Sequence, residues 1–239
     1  MMELVTGLYT GMYTGLYTGM YPVVYPETIN LYYIFLSSFV TSAFACFIQD
    51  IYCDYPYVQG NRYNTKEILN VYYKSLPLVL LNMFISVPVS LLVSQYFFGF
   101  LSPFNYYQIY HIPVFFILID PTFFTFHRLF HTVKFLDLYK YHKVHHQIPR
   151  PVGITSLYLH PVDLIFGNIL PLFLPVFIIR SSMPLLYFWT AFTVFETTYI
   201  SHSGIKNRAE NHDMHHKLTI FNYGSGLYFM DRIFNTYRY

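Results

Sequence analysis

The chain has 239 residues, of which 54% are hydrophobic, 22% are aromatic and only 11% are charged, and its formal net charge is +2. Soluble domains are usually about 25% charged, so this composition excludes an ordinary soluble protein and predicts an integral membrane protein. The small net charge and the absence of a continuous run of Lys or Arg argue against a nucleic-acid partner. The two cysteines, Cys46 and Cys53, provide no disulfide framework.

The first 30 residues are predicted to form a low-complexity, disordered tail. Residues 6–21 read TGLYTGMYTGLYTGMY, a tetrapeptide repeat that is too short for a solenoid and whose regular glycines weaken a helix. A stripe of Tyr lying on a membrane surface is the alternative interpretation of this repeat. No basic region precedes it, which argues against a cleaved signal peptide.

Long apolar segments follow the tail. A helix needs about 20 apolar residues to cross a bilayer. Such segments are Leu31–Gln49, Leu76–Phe104 (one tilted span or a tight hairpin), Tyr110–Phe126, and a hairpin at about 157–200 that turns at Arg180. Because a backbone in lipid must satisfy its own hydrogen bonds, we predict an all-α, polytopic membrane bundle of about four to six apolar segments. We assign 31–109 to N-terminal transmembrane helices and 110–239 to a catalytic region.

Ten of the 14 Lys and Arg residues lie in two patches. They are Arg128, Lys134, Lys140, Lys143 and Arg150, then Lys206, Arg208, Lys217, Arg232 and Arg238. By the positive-inside rule, both patches are predicted to face the cytosol.

The histidines occupy the same two parts of the chain. Of the 11 histidines, only His111 lies outside residues 127–216, and we interpret it as an interfacial side chain. The others form three boxes with helical spacing and two single positions: His127 and His131 in HRLFH, His142, His145 and His146 in HKVHH, His212, His215 and His216 in HDMHH, and the single His160 and His202. Residues three or four apart are neighbours on a helix, so each box is expected to gather its imidazoles on one face. These boxes predict a histidine-rich helical metal domain at the cytosolic face.

Metal binding removes the cost of placing so many imidazoles together, because a shared cation takes up the lone pairs of buried neutral rings. Eight to ten imidazoles exceed the ligands of one tetrahedral site, so two ions are predicted. Imidazole suits zinc, copper, iron and nickel alike, and ligand type does not choose between them. The HExxH pattern of zinc proteases is absent, which disfavours hydrolysis. Elimination therefore points to oxygen chemistry on a lipid. A metal carrier or an inactive metal-binding homologue is the alternative.

The order of these motifs resembles the fatty acid hydroxylase/sterol desaturase superfamily of membrane-bound di-iron oxygenases. The matching elements are HxxxH, HxxHH, HP, HSG, HDxHH and a closing NYG with MDRIFNT, and they cover about 120–237. HRLFH, YKYHKVHHQ, HSG and HDMHH are most similar to sterol C4-methyl oxidases, whereas HPVD and the closing segment look as much like sterol C5-desaturases. The stretch between His202 and His212 is shorter than in sterol oxidases, which leaves the substrate open.

The resemblance implies that the three boxes, with His160 or His202, bind two irons that activate O2 to hydroxylate or desaturate a sterol or an acyl chain. No catalytic residue beyond the metal ligands is expected. Electrons would come from NAD(P)H through a separate donor, such as a b-type cytochrome or a reductase, docking on the basic cytosolic face. The membrane would be the endoplasmic reticulum or an equivalent intracellular membrane.

Three acidic residues are candidates for orienting the ligands. Asp120 precedes His127 by seven residues and would lie on the same helix face, where a carboxylate can orient an imidazole; the alternative is that it caps a helix starting at Pro121. Asp163 follows His160 by three residues and either orients that ring or caps the next helix. Glu196 is a further candidate, although six residues before His202 is the wrong spacing for a shared helix face.

Overall fold

The computed structural model describes residues 24–53, 55–60, 63–133 and 136–239. Most of the predicted N-terminal tail, with its repeat, and Lys134 lie outside these residues. Within them the fold is helical, and pairing between extended segments is limited to isolated bridges of Tyr57 with Gly60 and with Ile205. The all-helical prediction is therefore confirmed.

Among the described residues, three helices are long and apolar enough to cross a membrane. Helix α1 is Pro26–Tyr52. Helices α2, Thr65–Leu81, and α3, Val87–Ser94, are joined by a π-helical turn, Asn82–Ser86, and continue as a 3-10 helix, Gln95–Phe100. Helix α4 is His111–Thr132 and follows a 3-10 turn, Tyr106–Tyr110. The segment predicted as Leu76–Phe104 is thus one continuous helical rod and not a hairpin.

Helix α1 shows why these rods suit a bilayer. Its buried residues recur every three or four positions, as the pitch of an α-helix requires, and include Leu31, Phe35 and Phe39. The opposite face is also apolar: Tyr33 is 61% exposed and Phe44 is 63% exposed. A helix that is apolar on both its packed and its outer face is stable in lipid, where outward-facing apolar side chains contact acyl chains.

A shorter hairpin packs against these helices. It consists of a π-helical turn, Asp163–Ile169, that leads into α6, Leu170–Ile178, and of α7, Met183–Phe195, that ends in a second π-helical turn, Glu196–Ser201. The two halves meet around Arg180, whose φ of +47° closes the turn. The chain turns at Arg180, as the sequence predicts, but the first helical arm begins at Asp163 and not at Leu157; that the hairpin crosses a membrane stays a prediction.

Hydrogen bonds identify the two ends of the bundle. At one end Thr28 donates to Gln95 over 3.0 Å, and Ser102 N donates to the carbonyl of Ser181 over 2.7 Å. At the other end Arg208 donates to Gln49 over 2.9 Å. The C-terminus of α4 lies at this second end, together with the connections that carry the histidines.

Three short helices complete the histidine end. They are α5, Tyr139–His142, α8, Glu210–Leu218, and α9, Phe229–Ile233. Thr219, directly after α8, adopts a left-handed conformation with φ of +62°. The chain reverses there, so that residues 221–224 return along α8 toward α4.

Candidate metal centre

Nine of the ten predicted ligand histidines converge in two adjacent groups. Within each group the potential ligand atoms all lie within 4.8 Å of one another. The five-histidine group is His127, His131, His142, His146 and His215; the four-histidine group is His145, His202, His212 and His216. Most of these side chains are buried, so the two groups form one enclosed centre at the end of α4.

The sequence boxes are divided between the groups. In each box the two histidines four residues apart stay together: His127 with His131, His142 with His146, and His212 with His216. The third histidine of a trio goes to the other group, as His145 and His215 do. Because consecutive residues on a helix point about 100° apart, neighbours such as His215 and His216 cannot face the same ion. The expectation that each trio faces one way is therefore wrong.

Six of the nine rings are oriented through Nδ1. The acceptors are the carbonyls of Tyr223 for His127, Tyr158 for His145, Thr197 for His202, Phe221 for His215 and Ile148 for His216, and the carboxylate of Asp163 for His142, at 2.6–3.3 Å. Carbonyl and carboxylate oxygens only accept, so the proton of each ring lies on Nδ1. Nε2 then carries a lone pair directed into the centre.

The Nε2 atoms face one another at distances that a cation between them would bridge. His127 and His142 approach to 3.1 Å, His145 and His202 to 3.2 Å, and His145 and His216 to 3.0 Å. In each of these pairs both rings hold their proton on Nδ1, so two lone pairs face each other without a hydrogen to share, and this contact is repulsive. A bound metal ion turns it into coordination, and the all-imidazole donor set suits iron, zinc, copper or nickel.

An unpaired buried nitrogen supports the same conclusion. His131 Nε2 is buried and has no hydrogen-bond partner among the described residues. A buried polar atom without a partner costs free energy unless a ligand or an ion satisfies it. The nine histidines therefore fit two metal ions, one for each group.

Burial keeps these rings in the form that binds metal. It lowers the pKa of His146 and of His202 from the ordinary 6.5 to about 4. Burial, and then the neighbouring imidazoles, hold the pKa of His215 and of His216 well below that ordinary value. The neutral imidazole is the form that coordinates a cation.

Asp163 orients His142 and not His160. Its Oδ2 accepts from His142 Nδ1 over 2.9 Å, with both side chains buried. Sequence spacing from His160 suggested the wrong partner, because the contact joins the connection after α4 to the start of the hairpin. Gly167 makes room for this carboxylate: a Cβ at that position would lie 2.4 Å from Asp163 Oδ1.

Asp120 contacts neither of the imidazoles that follow it on α4. Its Oδ2 accepts from the backbone N–H of Met230 over 2.9 Å. The alternative, a helix cap before Pro121, is also wrong, because α4 continues through Pro121. Asp120 instead joins α4 to α9.

Asp231 supports the centre indirectly. Its carboxylate accepts from the N–H groups of Tyr223 and Gly224 over 2.9 and 2.6 Å. It thereby fixes the 221–224 loop, whose carbonyls orient His127 and His215. The sequence carried no signal for these carbonyls, because every residue has one; only the NYG and MDRIFNT motifs hinted that this segment belongs to the site.

His160 and Glu196 lie outside both ligand groups. His160 Nδ1 accepts from Val162 N over 3.2 Å, and its ring packs on Tyr141. Glu196 accepts from Ser201 Oγ over 2.6 Å, while His202 is oriented by the carbonyl of Thr197. The structure therefore does not pair Glu196 with His202.

One cavity is lined by the ligand histidines, and a second adjoins it. The first reaches both groups and is also lined by Phe123, Asn168, Leu172 and Tyr228. The second is mainly apolar and extends between the hairpin and α1, where Phe35 and Phe39 line it. The two share Ser156, Asn168, Leu172 and Thr197 in their walls. The second cavity is small, about 40 Å³, and its apolar wall continues into the wall of the first.

Comparisons with known proteins agree with this geometry. The family model described as fatty acid hydroxylase matches residues 112–236, just over half of the chain. Methylsterol monooxygenase 1 of Rattus norvegicus is 36% identical over 124 residues, which cover 46% of this chain and 40% of that protein. A fatty acid hydroxylase of Mycosarcoma maydis is 34% identical over 127 residues, covering 50% of this chain and 31% of that protein. A very-long-chain aldehyde decarbonylase of Oryza sativa subsp. indica is 33% identical over 138 residues, covering 51% and 50%.

No solved structure matches the chain. The chain spans half or less of the length of these three relatives. The matched region begins at the start of α4, contains all nine converging histidines and ends after α9. Its position and the metal-binding geometry lead to one conclusion: the chain belongs to the fatty acid hydroxylase family.

Proposed function

We propose that this chain is a membrane-bound non-haem di-iron oxygenase, an oxidoreductase that uses O2 and external electrons to hydroxylate or desaturate a lipid. The observation that carries this proposal is the convergence of Nε2 lone pairs in two adjacent groups. The first ion would be held by the five-histidine group and the second by the four-histidine group. Iron at this position would supply the chemistry that activates O2.

The chain's own residues supply orientation and enclosure. Asp163 and five backbone carbonyls hold the ligand rings in place. The small apolar cavity beside the centre, about 40 Å³ in volume, is in keeping with a hydrocarbon substrate, and Leu172 and Asn168 lie at its junction with the histidine-lined cavity. Relatives named for methylsterols and for fatty acids support a sterol or a fatty acyl chain as the substrate class.

The surroundings of the centre support its place in a membrane. The basic residues that the sequence groups into two patches flank the histidines, so we place this end of the bundle at the cytosolic face of the endoplasmic reticulum or an equivalent membrane. The electrons would come from NAD(P)H through a separate carrier, such as a b-type cytochrome or a reductase, at this face. Residues 110–239 are proposed as the catalytic region.

A metal carrier is the alternative class of function. A carrier needs ligands distributed along its spans, so that an ion can move from one side to the other. Here the ligand groups lie together at one end of α4, and His111 at the other end of that helix bonds Ser181 Oγ over 2.9 Å. This distribution favours a fixed metal centre.

Lipid analysis under ¹⁸O2 tests the proposal. Cells lacking their own sterol methyl oxidase would express the chain, its His145→Ala variant, or the control His160→Ala, which removes an imidazole outside both groups. A hydroxylase adds one ¹⁸O atom to a lipid, whereas a desaturase creates a double bond without ¹⁸O. We expect the oxidised lipid with the unmodified chain and with His160→Ala, and not with His145→Ala.

The contrary result is equally clear. A lipid profile that is the same with the unmodified chain and with His145→Ala would refute the oxygenase proposal. Accumulation of a 4-methyl sterol that the chain does not clear would remove sterol C4 oxidation alone, leaving other lipid hydroxylation or desaturation in place.

A further inference from the structure

Lipid hydroxylation consumes protons, and the ligand imidazoles that are oriented through Nδ1 do not supply them. Hydroxylation converts RH, O2, two electrons and two protons into ROH and water, so two protons must reach the centre in each cycle. The six imidazoles that hold their proton on Nδ1 donate it to a carbonyl or carboxylate, away from the centre. These six ligands therefore do not deliver their protons to the centre.

A polar cavity lies against the four-histidine group. Its volume is about 250 Å³, and its walls include Asn207, Arg208, Glu210 and Asn211. A polar cavity of this size holds several water molecules. It shares four wall residues with the histidine-lined cavity: Glu196, Ser201, His212 and Tyr228. These four residues form a partition between the polar cavity and the histidine-lined cavity.

Glu196 is the acidic member of this partition. Among the described carboxylates that line either cavity, it alone lines both. It begins the π-helical turn Glu196–Ser201, and its carboxylate accepts from Ser201 Oγ over 2.6 Å. Turns of this kind occur often at functional sites. Here the turn places a carboxyl group and a hydroxyl group side by side between the two cavities.

Tyr228 is a second member of this partition, and its backbone is strained. It is buried and adopts φ of +54°, which is unusual for a bulky residue. Burial, and then the charge of Glu196, raise the pKa of Tyr228 well above its ordinary value of 10. Its phenol therefore stays protonated. Strain of this kind is retained where a side chain must occupy one place.

From this arrangement we infer that Glu196 carries protons from the polar cavity to the metal centre. The inference rests on the proposed oxygenase function. The protonated carboxyl group of Glu196 gives its proton toward the histidine-lined cavity, and the resulting carboxylate takes a proton from water in the polar cavity. Two such transfers supply the two protons that each O2 consumes, while the two electrons come from the external carrier. Ser201 holds the carboxylate in position.

Infrared spectroscopy tests the water-facing half of the path without turnover. Iron-loaded full-length protein, with no electron donor or lipid, is moved from H2O to D2O at a pH low enough to protonate the carboxyl group. The C=O band of Glu196 is identified by its loss in Glu196→Gln. We expect it to shift before the surrounding backbone amides exchange. A Glu196 band that shifts only as slowly as the surrounding backbone amides exchange would overturn the inference.

Turnover tests the other half. Glu196→Gln keeps the size of the side chain and an acceptor for Ser201 but cannot carry a proton, so we expect the oxidation rate to fall by about 10²-fold or more, as for loss of a general acid. The iron content should be unchanged. Glu210→Gln is the matched control, because Glu210 lines the polar cavity only, and it should keep the rate and the solvent deuterium isotope effect. An unchanged rate and isotope effect in Glu196→Gln would overturn the inference.

The two proposals fail in different ways. If the unmodified chain holds no iron or oxidises no lipid, the proposed function fails, and the infrared measurement on the protein as purified still decides whether Glu196 exchanges with water. If the chain is active and Glu196→Gln is equally active, only the proton path fails.

Discussion

Replacing Asp163 with asparagine removes the charge behind His142 and leaves the volume of the side chain nearly unchanged. The Asp163 carboxylate accepts from His142 Nδ1 over 2.9 Å in a buried site. A hydrogen bond to a charged group contributes about 1.5–3 kcal/mol. Loss of a group that orients a ligand lowers metal affinity by about 10–100-fold, which corresponds to about 1.4–2.8 kcal/mol. Asparagine keeps a carbonyl acceptor for His142 Nδ1, so the second estimate, and not the whole value of the hydrogen bond, applies to Asp163→Asn.

The effect should be confined to one ion. His142 belongs to the five-histidine group, whereas the oriented rings of the four-histidine group use the carbonyls of Tyr158, Thr197 and Ile148. Titration of purified protein against an iron chelator should therefore show one ion released about 10–100-fold more readily and the other unchanged. Asp213→Asn is the control, a buried aspartate with no hydrogen bond to an imidazole among the described residues. Two irons retained at full affinity in Asp163→Asn would refute the assigned role.

Three further predictions concern Gly167, the buried histidines and Asn82. Gly167→Ala should reproduce the metal release of Asp163→Asn in the chelator titration, because its Cβ would lie 2.4 Å from Asp163 Oδ1; full retention would show that the carboxylate moves without harm. The metal-free protein should lose stability as the pH falls below about 6.5: the folded-state pKa of His146 and of His202 is about 4, so the unfolded chain binds protons that the folded chain does not. Each ring then lowers the free energy of unfolding by up to about 1.4 kcal/mol for each pH unit between pH 6.5 and 4. A thermal unfolding midpoint in detergent that does not change across this range would contradict the burial of neutral rings. The Asn82 side-chain amide donates to the buried carbonyls of Leu157 and Leu159 over 2.9 and 2.8 Å. Asn82→Leu leaves both carbonyls without this donor, which costs about 1–3 kcal/mol for each, so it should lower the unfolding midpoint. An unchanged midpoint would show that water replaces the amide.

The sequence predicted the parts of the site that depend on local periodicity. His127 and His131 lie on one face of α4 and enter one group, as their spacing requires. Four-residue spacing also held for the other two boxes. What the spacing did not reveal was the separation of His145 and His215 from their neighbours. Helix α5 ends at His142, so the ideal helical face assumed for the second box does not exist.

Contacts between distant segments could not be predicted from spacing. Asp163 lies three residues from His160, yet its partner is His142, 21 residues earlier. Asp120 lies on the face of α4 that its spacing to His127 indicates, but its carboxylate accepts from the backbone N–H of Met230 in α9 and not from an imidazole. In both cases the partner is set by how segments pack, and a single sequence gives no information on that packing.

The apolar segments were predicted more reliably than their ends and shapes. The long rods and the hairpin at Arg180 follow from hydropathy and from the length needed to cross a bilayer. The π-helical turns at Asn82–Ser86, Asp163–Ile169 and Glu196–Ser201 have no signature in the sequence. Two of these turns place residues at the metal centre, Asp163 beside a ligand and Glu196 between the cavities.

Iron content per folded chain tests the central claim most directly. Full-length protein would be expressed with adequate iron, purified in detergent and analysed together with His127→Ala and His202→Ala, one variant for each histidine group. We predict two irons in the unmodified chain and about one in each variant. One iron or none in unmodified protein that circular dichroism shows to be folded would contradict a centre that binds two ions.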